Sequence, residues 1–293
     1  MTMLDRRLHA YRADLAEAGL EGRVDALRFV AGAPAQVAVP VIGLRPAPDL
    51  AKGIDTELLL GEDVTVFDRA NGWCWVKAAS DGYVGYLPET ALSDALATPT
   101  HIVTVQRTFL YQEAELRKPC KAILSMGSRV RIVGEADTRG NRYAMLEDGT
   151  AIFAKHLQPI GEGEGGDYVE VASRFLETPY LWGGRSGLGI DCSGLVQLSM
   201  LMTGRSAQRD TDMQAATLGE PIHRSELRRG DLVFWKGHVA VLEDPETIIH
   251  ANGHTMTVAR ENLEDAIKRI GWLYEQPTGY RRPLTRPAAS AMT

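Results

Sequence analysis

The hydrophobic pattern divides the chain into three stretches of different character. Apolar residues recur every three or four positions through residues 1–31, with Leu15 and Leu20 late in the run, and this spacing predicts a leading helix. Residues 37–160 carry short apolar runs broken by Gly, Asp and Asn, a pattern typical of strands joined by tight turns. After the flexible "GEGEGG" segment (161–166) the pattern becomes helical and then returns to strands.

The strand-rich stretch contains an internal repeat. "LGEDVTV" (60–66) is similar to "MGSRVRI" (126–132), and "WCWVKAASDGYVGYL" (73–87) is similar to "RYAMLEDGTAIFA" (142–154). The period is about 67 residues, enough for roughly five short strands per copy. This repeat predicts two small β-barrels, the second of which has lost the tryptophan and the second Gly-Tyr of the first.

The C-terminal stretch predicts helices first and strands afterwards. Hydrophobic spacing predicts helices at 169–176, 192–201, 212–218 and 260–270. The helix at 192–201 is predicted to be strongly amphipathic. Apolar β-type runs predict strands at 231–235, 238–243, 247–252 and 279–282. Helices followed by an antiparallel meander indicate an α+β domain.

Composition and charge narrow the function classes. The chain has 44% hydrophobic and 24% charged residues, ordinary for a globular protein, and a net charge of −6 that disfavours a nucleic-acid-binding surface. No apolar run approaches the roughly 18 residues of a membrane span, and the charged N-terminus does not resemble a signal peptide. We therefore expect a cytoplasmic protein without membrane contact; the alternative is a start codon that hides a leader.

One of the three cysteines stands where a reactive thiol is expected. Cys74, Cys120 and Cys192 are widely spaced, which disfavours a disulfide framework and a structural zinc site. In "GIDCSGLVQLSM", Asp191 can cap the helix that Cys192 begins, and the positive helix N-terminus should then lower the pKa of the thiol. The first-turn N–H groups can also stabilise an oxyanion. The alternative is a buried, inert cysteine.

Two histidines can supply the base that such a nucleophile needs. His238 and His250 flank "EDPE" (243–246), where Asp-Pro favours a turn. In a hairpin centred there, residues whose numbers sum to about 488 face each other, and these two histidines satisfy that sum. One ring can then orient the other, as in a nucleophile, base and orienting group. The alternative is two unrelated strand histidines.

Four ordered motifs carry a resemblance to a known family. They are "PYLWGGRSGLGIDCSGLVQLSM" (179–200), "LRRGDLVFW" (227–235), "GHVAVL" (237–242) and "IIHANG" (248–253). Together they resemble the NlpC-type papain-like cysteine peptidases of bacterial cell-wall metabolism, and the repeat resembles bacterial SH3-like domains. The whole arrangement is similar to that of the γ-D-glutamyl-L-diamino acid endopeptidases, the dipeptidyl-peptidase VI-like group.

The resemblance implies an α+β papain-like cysteine peptidase domain preceded by two small all-β SH3-like barrels. The implied divisions are an N-terminal helical segment 1–34, SH3-like domain one 35–97, SH3-like domain two 98–161, a linker 162–166, the peptidase domain 167–284 and a flexible tail 285–293. It further implies that Cys192 is the nucleophile, His238 the general base and His250 the group that orients it. No metal or organic cofactor is implied.

The implied substrate is a murein peptide with a free N-terminal L-Ala, cleaved between γ-D-Glu and the diamino acid. The implied substrate-binding residues are Glu62, Tyr83, Tyr180, Trp182, Asp191, Ser193 and Asp210, with Asp212 as a rival for Asp210. Carboxylates among them suit a substrate ammonium. Each has a structural alternative: Asp191 as a helix cap, Glu62 as a solvated turn residue, Tyr83 as part of its own barrel, and Tyr180 and Trp182 as core.

The sequence leaves other functions to weigh against a recycling peptidase. A secreted peptidoglycan hydrolase would use the SH3-like domains as wall anchors, although the acidic chain lacks the basic surface typical of anchors. A binding protein with an inactive peptidase fold is disfavoured by the intact Cys and His set. An acyltransferase of the circularly permuted fold would place its histidine before its cysteine, whereas here Cys192 comes first. No obligate protein partner is implied, and meso-diaminopimelate and lysine remain equal candidates for the third residue.

Overall fold

The computed structural model describes residues 4–273 and 275–284. The chain divides into two compact units, with the division between Ile160 and Gly161. The N-terminal unit consists of strands and short 3₁₀ turns, and the C-terminal unit combines helices with one large sheet. The tail predicted for 285–293 lies outside the described residues.

The leading helix predicted for residues 1–31 is wrong. Between residues 4 and 31 the chain forms only a short parallel pair, β1 (Ala16–Glu17) and β2 (Phe29–Val30), and a 3₁₀ turn. Leu15 is buried in the core of the first barrel beside Trp75. Leu15 and Leu20 are buried, but packing onto the barrel overrides helix propensity, and a Gly at φ +75° interrupts the segment at position 22.

The first barrel is built from seven strands. They are β3 (Ala33–Val37), β4 (Val41–Leu44), β5 (Thr56–Leu59), β6 (Asp63–Ala70), β7 (Trp73–Ala78), β8 (Val84–Pro88) and β9 (Leu92–Ser93). The main sheet has the order β8-β7-β6-β3-β9, and β4 and β5 form a separate ribbon. β6 and β7 supply much of the core: Val66 and Phe67 are buried in succession beside a register shift, and so are Cys74, Trp75 and Val76.

A second all-β module follows with its own core. Its strands are β10 (His101–Val103), β11 (Arg107–Tyr111), β12 (Cys120–Ser125), β13 (Arg129–Val130), β14 (Gly134–Thr138), β15 (Asn141–Met145), β16 (Ala151–Phe153) and β17 (Leu157–Pro159). They form sheets of order β12-β11-β16-β15-β14 and β13-β10-β17. Val103, Leu124 and Ile152 are fully buried in the core between them.

The backbone of the second module repeats that of the first at an offset of 66 residues. The N–H of Gly61 donates to the carbonyl of Val37 at 2.9 Å, and the N–H of Gly127 donates to that of Val103 at 3.0 Å. Both glycines have positive φ, +79° and +90°, so both turns need a residue without a Cβ. Three further pairs of main-chain bonds around the same turns show the same offset. The predicted repeat is therefore present in the main chain.

The C-terminal unit consists of four helices and an antiparallel sheet. The helices are α1 (Tyr168–Ser173), α2 (Cys192–Leu201), α3 (Thr211–Thr217) and α4 (Leu263–Leu273). The strands are β18 (Arg185–Ser186), β19 (Gly189–Ile190), β20 (Glu220–Pro221), β21 (Leu232–Trp235), β22 (His238–Leu242), β23 (Thr247–Asn252), β24 (Thr257–Asn262) and β25 (Gly279–Arg282). The large sheet has the order β20-β25-β21-β22-β23-β24.

Most predicted elements of this unit occur, with two corrections. The helix predicted at 260–270 begins only at Leu263, because the chain before it forms β24, which pairs with β23 along its full length. Asn262 gives the local signal for this start, since its side chain accepts the N–H of Glu264 at 3.0 Å. Helix α2 is also not amphipathic: nine of its ten residues are buried, as expected of a helix enclosed on all sides.

Candidate active site

Cys192 is the first residue of α2, as predicted. Asp191 caps the helix, and its carboxylate accepts the N–H of Gly194 at 2.7 Å. A Cβ on Gly194 would lie 2.4 Å from the carbonyl oxygen of Gly184, so only glycine permits this close approach. The start of α2 is therefore packed tightly, and Cys192 itself is only 6% exposed.

The sulfur of Cys192 lies against the turn that precedes His238. Trp235 pairs with His238 across a two-residue turn that contains Gly237 at φ +74°. The thiol donates a long hydrogen bond, 4.0 Å, to the carbonyl of Gly237, and the sulfur accepts the N–H of Val239. The nucleophile is thus fixed by main-chain groups on both sides of the predicted base.

The two histidines are in contact, although the predicted register is wrong. Nε2 of His238 lies 2.9 Å from Nδ1 of His250, which is buried. The observed pairs between β22 and β23 include Val241 with Ile249, so the register is shifted by two residues from the predicted hairpin. Because side chains alternate with a period of two, this shift leaves both rings on the same face. The rings therefore meet diagonally rather than directly across.

The predicted fall in the pKa of the thiol is also wrong for the substrate-free protein. Burial, followed by the neighbouring charge of Asp191, raises the pKa of Cys192 to about 12. Burial, followed by the electrostatic effects of His250 and Arg269, lowers the pKa of His238 to about 3. Desolvation outweighs the helix N-terminus because both groups sit in a nearly dry site. The resting pair is therefore a neutral thiol and a neutral imidazole.

Two charged residues that the sequence did not indicate stand behind His250. Glu261 on β24 places Oε2 3.1 Å from Nε2 of His250, and Nε of Arg269 on α4 donates to its Oε1 at 2.9 Å. Burial opposes ionisation, but the hydrogen bonds of His250 and Arg269 lower the pKa of Glu261 to about 2. Glu261 stands two residues after Ala259, the partner of His250, and hence on the same face. The misplaced boundary between β24 and α4 concealed this signal.

A buried guanidinium, also missed by the sequence reasoning, neutralises Asp191. Arg209 is 1% exposed and donates to both carboxylate oxygens of Asp191, at 3.0 and 2.7 Å, and to the hydroxyl of Ser193 at 2.8 Å. Asp191 also accepts the N–H of Gly183 at 2.9 Å. The carboxylate is thus occupied by donors of the protein, as its capping role predicts, and its contact with a substrate ammonium stays a prediction.

The structure separates the rival residues Asp210 and Asp212. Asp210 follows Arg209 directly, is half-buried and occupies the N-cap position of α3, whereas Asp212 is exposed in the first turn. Burial by itself would lower the pKa of Arg209, but the charges of Asp191 and then Asp210 raise it above its usual range. Asp210 therefore belongs to the charge cluster at the start of α2.

Tyr180 and Trp182 line a cleft beside His238. The cleft has a volume of about 490 Å³ and is lined by Tyr180, Trp182, Trp235, Lys236, Gly237, His238, Asn252, Gly253, His254, Arg269, Ile270 and Leu273. Trp182 is 71% exposed, which excludes the interpretation that it is a core residue. Lys236 and His254 are exposed cationic or titratable side chains in the same cleft. The carboxylates of Asp191 and Asp210 lie on the side of Cys192, whereas the cleft beside His238 is basic.

Glu62 and Tyr83 lie in the first barrel. Glu62 is only 2% exposed and its carboxylate accepts the N–H of Leu59 at 2.9 Å, so its interpretation as a solvated turn residue is wrong. Tyr83 is 4% exposed. The contact of either residue with a substrate stays a prediction.

The described residues contain neither a cluster of metal ligands nor a membrane-spanning helix. Within 4–273 and 275–284, no group of three or more His, Cys, Asp or Glu residues is arranged to hold a metal ion. No helix in this part of the chain combines the length and the apolar character needed to cross a bilayer.

Comparison with known families assigns both parts of the chain. Residues 44–92 match the bacterial dipeptidyl-peptidase SH3 domain, and residues 177–270 match the NlpC/P60 family. The SH3 match lies in the first barrel. An SH3-like character of the second module stays a prediction.

Curated relatives match over most of the chain. The chain is 29% identical over 230 residues to a γ-D-glutamyl-L-lysine dipeptidyl-peptidase of Bacillus cereus, which covers 69% of this chain and 68% of the relative. It is 28% identical over 257 residues to dipeptidyl-peptidase 6 of Lysinibacillus sphaericus, covering 78% and 94%. A crystal structure of an NlpC/P60 family protein from Bacillus cereus has the same fold, with a TM-score of 0.72 at 23% identity over 86% of this chain and 100% of that one. The chain therefore has a bacterial dipeptidyl-peptidase SH3 domain followed by an NlpC/P60 domain, and these matches with the named relatives identify it as a cysteine peptidase.

Proposed function

We propose that the protein hydrolyses the bond between γ-D-Glu and the diamino acid of murein peptides that carry a free N-terminal L-Ala, in the recycling of cell-wall peptides. The names of the curated relatives support this bond and this dipeptide product. The observation that carries the proposal is the arrangement of Cys192 at the start of α2, against the turn before His238, with His250 2.9 Å behind that histidine.

The proposed reaction is acyl transfer through a thioester. As the sulfur of Cys192 attacks the γ-carbonyl of D-Glu, the neutral imidazole of His238 takes the thiol proton. The oxyanion forms against main-chain N–H groups of the first turn of α2. His238 then gives its proton to the leaving amine of the diamino acid. Water, deprotonated by His238, hydrolyses the thioester and releases L-Ala-D-Glu.

The proposed reader of the L-Ala ammonium is the acidic cluster at the start of α2. Asp191 and Asp210 place two carboxylates beside the guanidinium of Arg209. Carboxylates suit a substrate cation, and the hydroxyl of Ser193 lies in the same cluster. Glu62 and Tyr83 of the first barrel remain candidate substrate contacts on the resemblance alone.

The basic cleft beside His238 is the proposed site of the leaving diamino acid. Lys236 and His254 are exposed there, and none of the described residues that line it carries a carboxylate. A cationic cleft attracts the second carboxylate of meso-diaminopimelate and disfavours the lone side-chain ammonium of lysine. We therefore propose meso-diaminopimelate as the preferred third residue.

The test compares three peptides by mass spectrometry. They are L-Ala-γ-D-Glu-meso-diaminopimelate, the same peptide acetylated on the alanine nitrogen, and the peptide with L-lysine in the third position. Cleavage of the free diaminopimelate peptide ahead of both others is expected, with no cleavage by Cys192→Ala and full cleavage by the exposed-cysteine control Cys120→Ala. Equal cleavage of the acetylated peptide would instead favour a wall hydrolase.

A further inference from the structure

Two charged side chains extend the histidine pair into a continuous row. Glu261 lies 3.1 Å from Nε2 of His250, and the Nδ1 of that ring lies 2.9 Å from Nε2 of His238. Arg269 holds both oxygens of Glu261, one of them at 2.9 Å. The row therefore runs from α4 through β24 and β23 to the base on β22, and each member contacts the next.

We propose that Glu261, held by Arg269, is a positioning residue that fixes the proton positions on both histidines, an inference that rests on the peptidase mechanism proposed above. The carboxylate touches neither the nucleophile nor the base. It acts through His250.

The proton positions follow from the atoms in contact. An ionised carboxylate only accepts, so at an N···O separation of 3.1 Å it favours a proton on Nε2 of His250, although this contact does not have the geometry of a hydrogen bond. Nδ1 of His250 then carries a lone pair and accepts the N–H at Nε2 of His238. Nδ1 of His238 is left without a proton. This is the form of His238 that can accept the proton of the Cys192 thiol.

The charge of Glu261 supplies what His250 lacks. A neutral imidazole cannot balance the positive charge that His238 acquires during attack, whereas a carboxylate one ring away can. The charged or titratable groups that act on His238 from the elements around it are His250 on β23, Glu261 on β24 and Arg269 on α4, and the sulfur of Cys192 on α2 lies against the turn that precedes it. Glu261 favours the charged form of His238, and Arg269 opposes it. The Arg269 contact therefore limits the effect while it holds the carboxylate in place.

The chain offers a matched pair for comparison. Arg260, the residue before Glu261 on β24, holds Glu243 in a similar two-point contact, with 2.8 Å between one guanidinium nitrogen and Oε1. Adjacent strand residues point to opposite faces, so this pair lies on the other side of the sheet from the histidines. Glu243→Gln removes the same charge from the same kind of contact without reaching His250.

The first measurement is made on the unaltered protein without substrate. Long-range ¹H–¹⁵N spectra of the ¹⁵N-labelled full chain distinguish protonated from bare ring nitrogens at pH 7. The expected result is a proton on Nε2 of both His238 and His250. A proton on Nδ1 of His238 would overturn the proposal. This outcome does not depend on cleavage of any murein peptide, so it is separate from failure of the proposed function.

The second measurement compares Glu261→Gln with Glu243→Gln. Loss of ordered proton transfer is expected to lower kcat of Glu261→Gln by about 10- to 100-fold, with KM within about twofold, while Glu243→Gln keeps both values. The spectra of Glu261→Gln should show Nδ1 of His238 partly protonated. Arg269→Met should raise the titration midpoint of the His238 ring. Unchanged ring protonation in Glu261→Gln, with or without lost activity, would assign Glu261 a merely structural role.

Discussion

The thiol of Cys192 is expected to react slowly with iodoacetamide in the substrate-free protein. The attacking species is the thiolate, and burial raises the pKa of Cys192 from 9.0 to about 12. At pH 7.5 this difference lowers the thiolate fraction about a thousandfold relative to an ordinary cysteine. Restricted access to a side chain that is 6% exposed slows the reaction further. The exposed Cys120 in the same chain serves as the internal reference.

The assay is peptide-resolved mass spectrometry of alkylation between pH 6 and pH 10. Because the pKa of Cys192 lies near 12, its alkylation rate is expected to rise about tenfold per pH unit across this whole range. Slow access alone lowers the rate equally at every pH, so the slope separates charge from access. His238→Gln should leave the slope unchanged, since the neutral ring does not hold the resting thiol as thiolate.

A plateau in this profile would refute the reasoning. If Cys192 reacted faster than Cys120 at pH 6 and the rate stayed flat to pH 9, the resting pair would be thiolate and imidazolium. The helix N-terminus and the attraction of His238 would then outweigh desolvation, as the sequence alone suggested. Loss of the plateau in His238→Gln would identify the histidine as the source of that charge.

Other perturbations test the buried charges and the cleft. Arg209→Met should lower the free energy of unfolding by about 3–5 kcal/mol because it leaves the buried carboxylate of Asp191 without its cation, whereas Arg69→Met at an exposed pair should change it by less than about 1 kcal/mol. The depressed pKa of His238, about 3 against 6.5, means that the unfolded chain binds the proton first. The contribution of the neutral His238 ring to the free energy of unfolding is complete above pH 6.5 and falls by about 2 kcal/mol by pH 5. This fall should be absent in His238→Gln. Lys236→Gln should raise KM several-fold for the diaminopimelate peptide and leave that for the lysine peptide nearly unchanged.

Urea unfolding and steady-state kinetics decide these three predictions. If Arg209→Met and Arg69→Met lowered the free energy of unfolding by similar amounts, burial of Asp191 without its cation would not be specially destabilising. Equal acid sensitivity of His238→Gln and the unaltered protein would remove His238 as the source of the pH dependence. An equal change of KM for both peptides would place the diamino acid outside the basic cleft.

The sequence predicted the C-terminal sheet well because its signals are local. The strands at Leu232–Trp235 and Thr247–Asn252 are continuous apolar runs, and the start of α2 is marked by the cap at Asp191. The leading segment failed because packing on the first barrel, a contact distant in sequence, decides its conformation. Strand β24 was missed because only two of its six residues, Val258 and Ala259, are apolar. Its conformation is decided by pairing with β23.

The candidate site divides in the same way. Cys192, His238 and His250 stand in motifs and were found without a structure, even with the register off by two. Arg209, Glu261 and Arg269 stand in no motif, and their roles come from partners 18, 11 and 8 residues away. The pKa of the thiol was mispredicted because a helix start can be recognised from sequence, whereas the depth of burial cannot.

The 66-residue offset of the two β-modules has an evolutionary meaning. The shared hydrogen bonds join main-chain atoms, so they survive almost any change of side chain. At the shared turn, the first copy has Glu62 and the second has Ser128 in the equivalent place. Such a pair is expected from an ancestral duplication after which selection conserved the function of one copy and not that of the other. Exchanging Glu62 and Ser128 between the copies would show which of the two modules has kept the ancestral function.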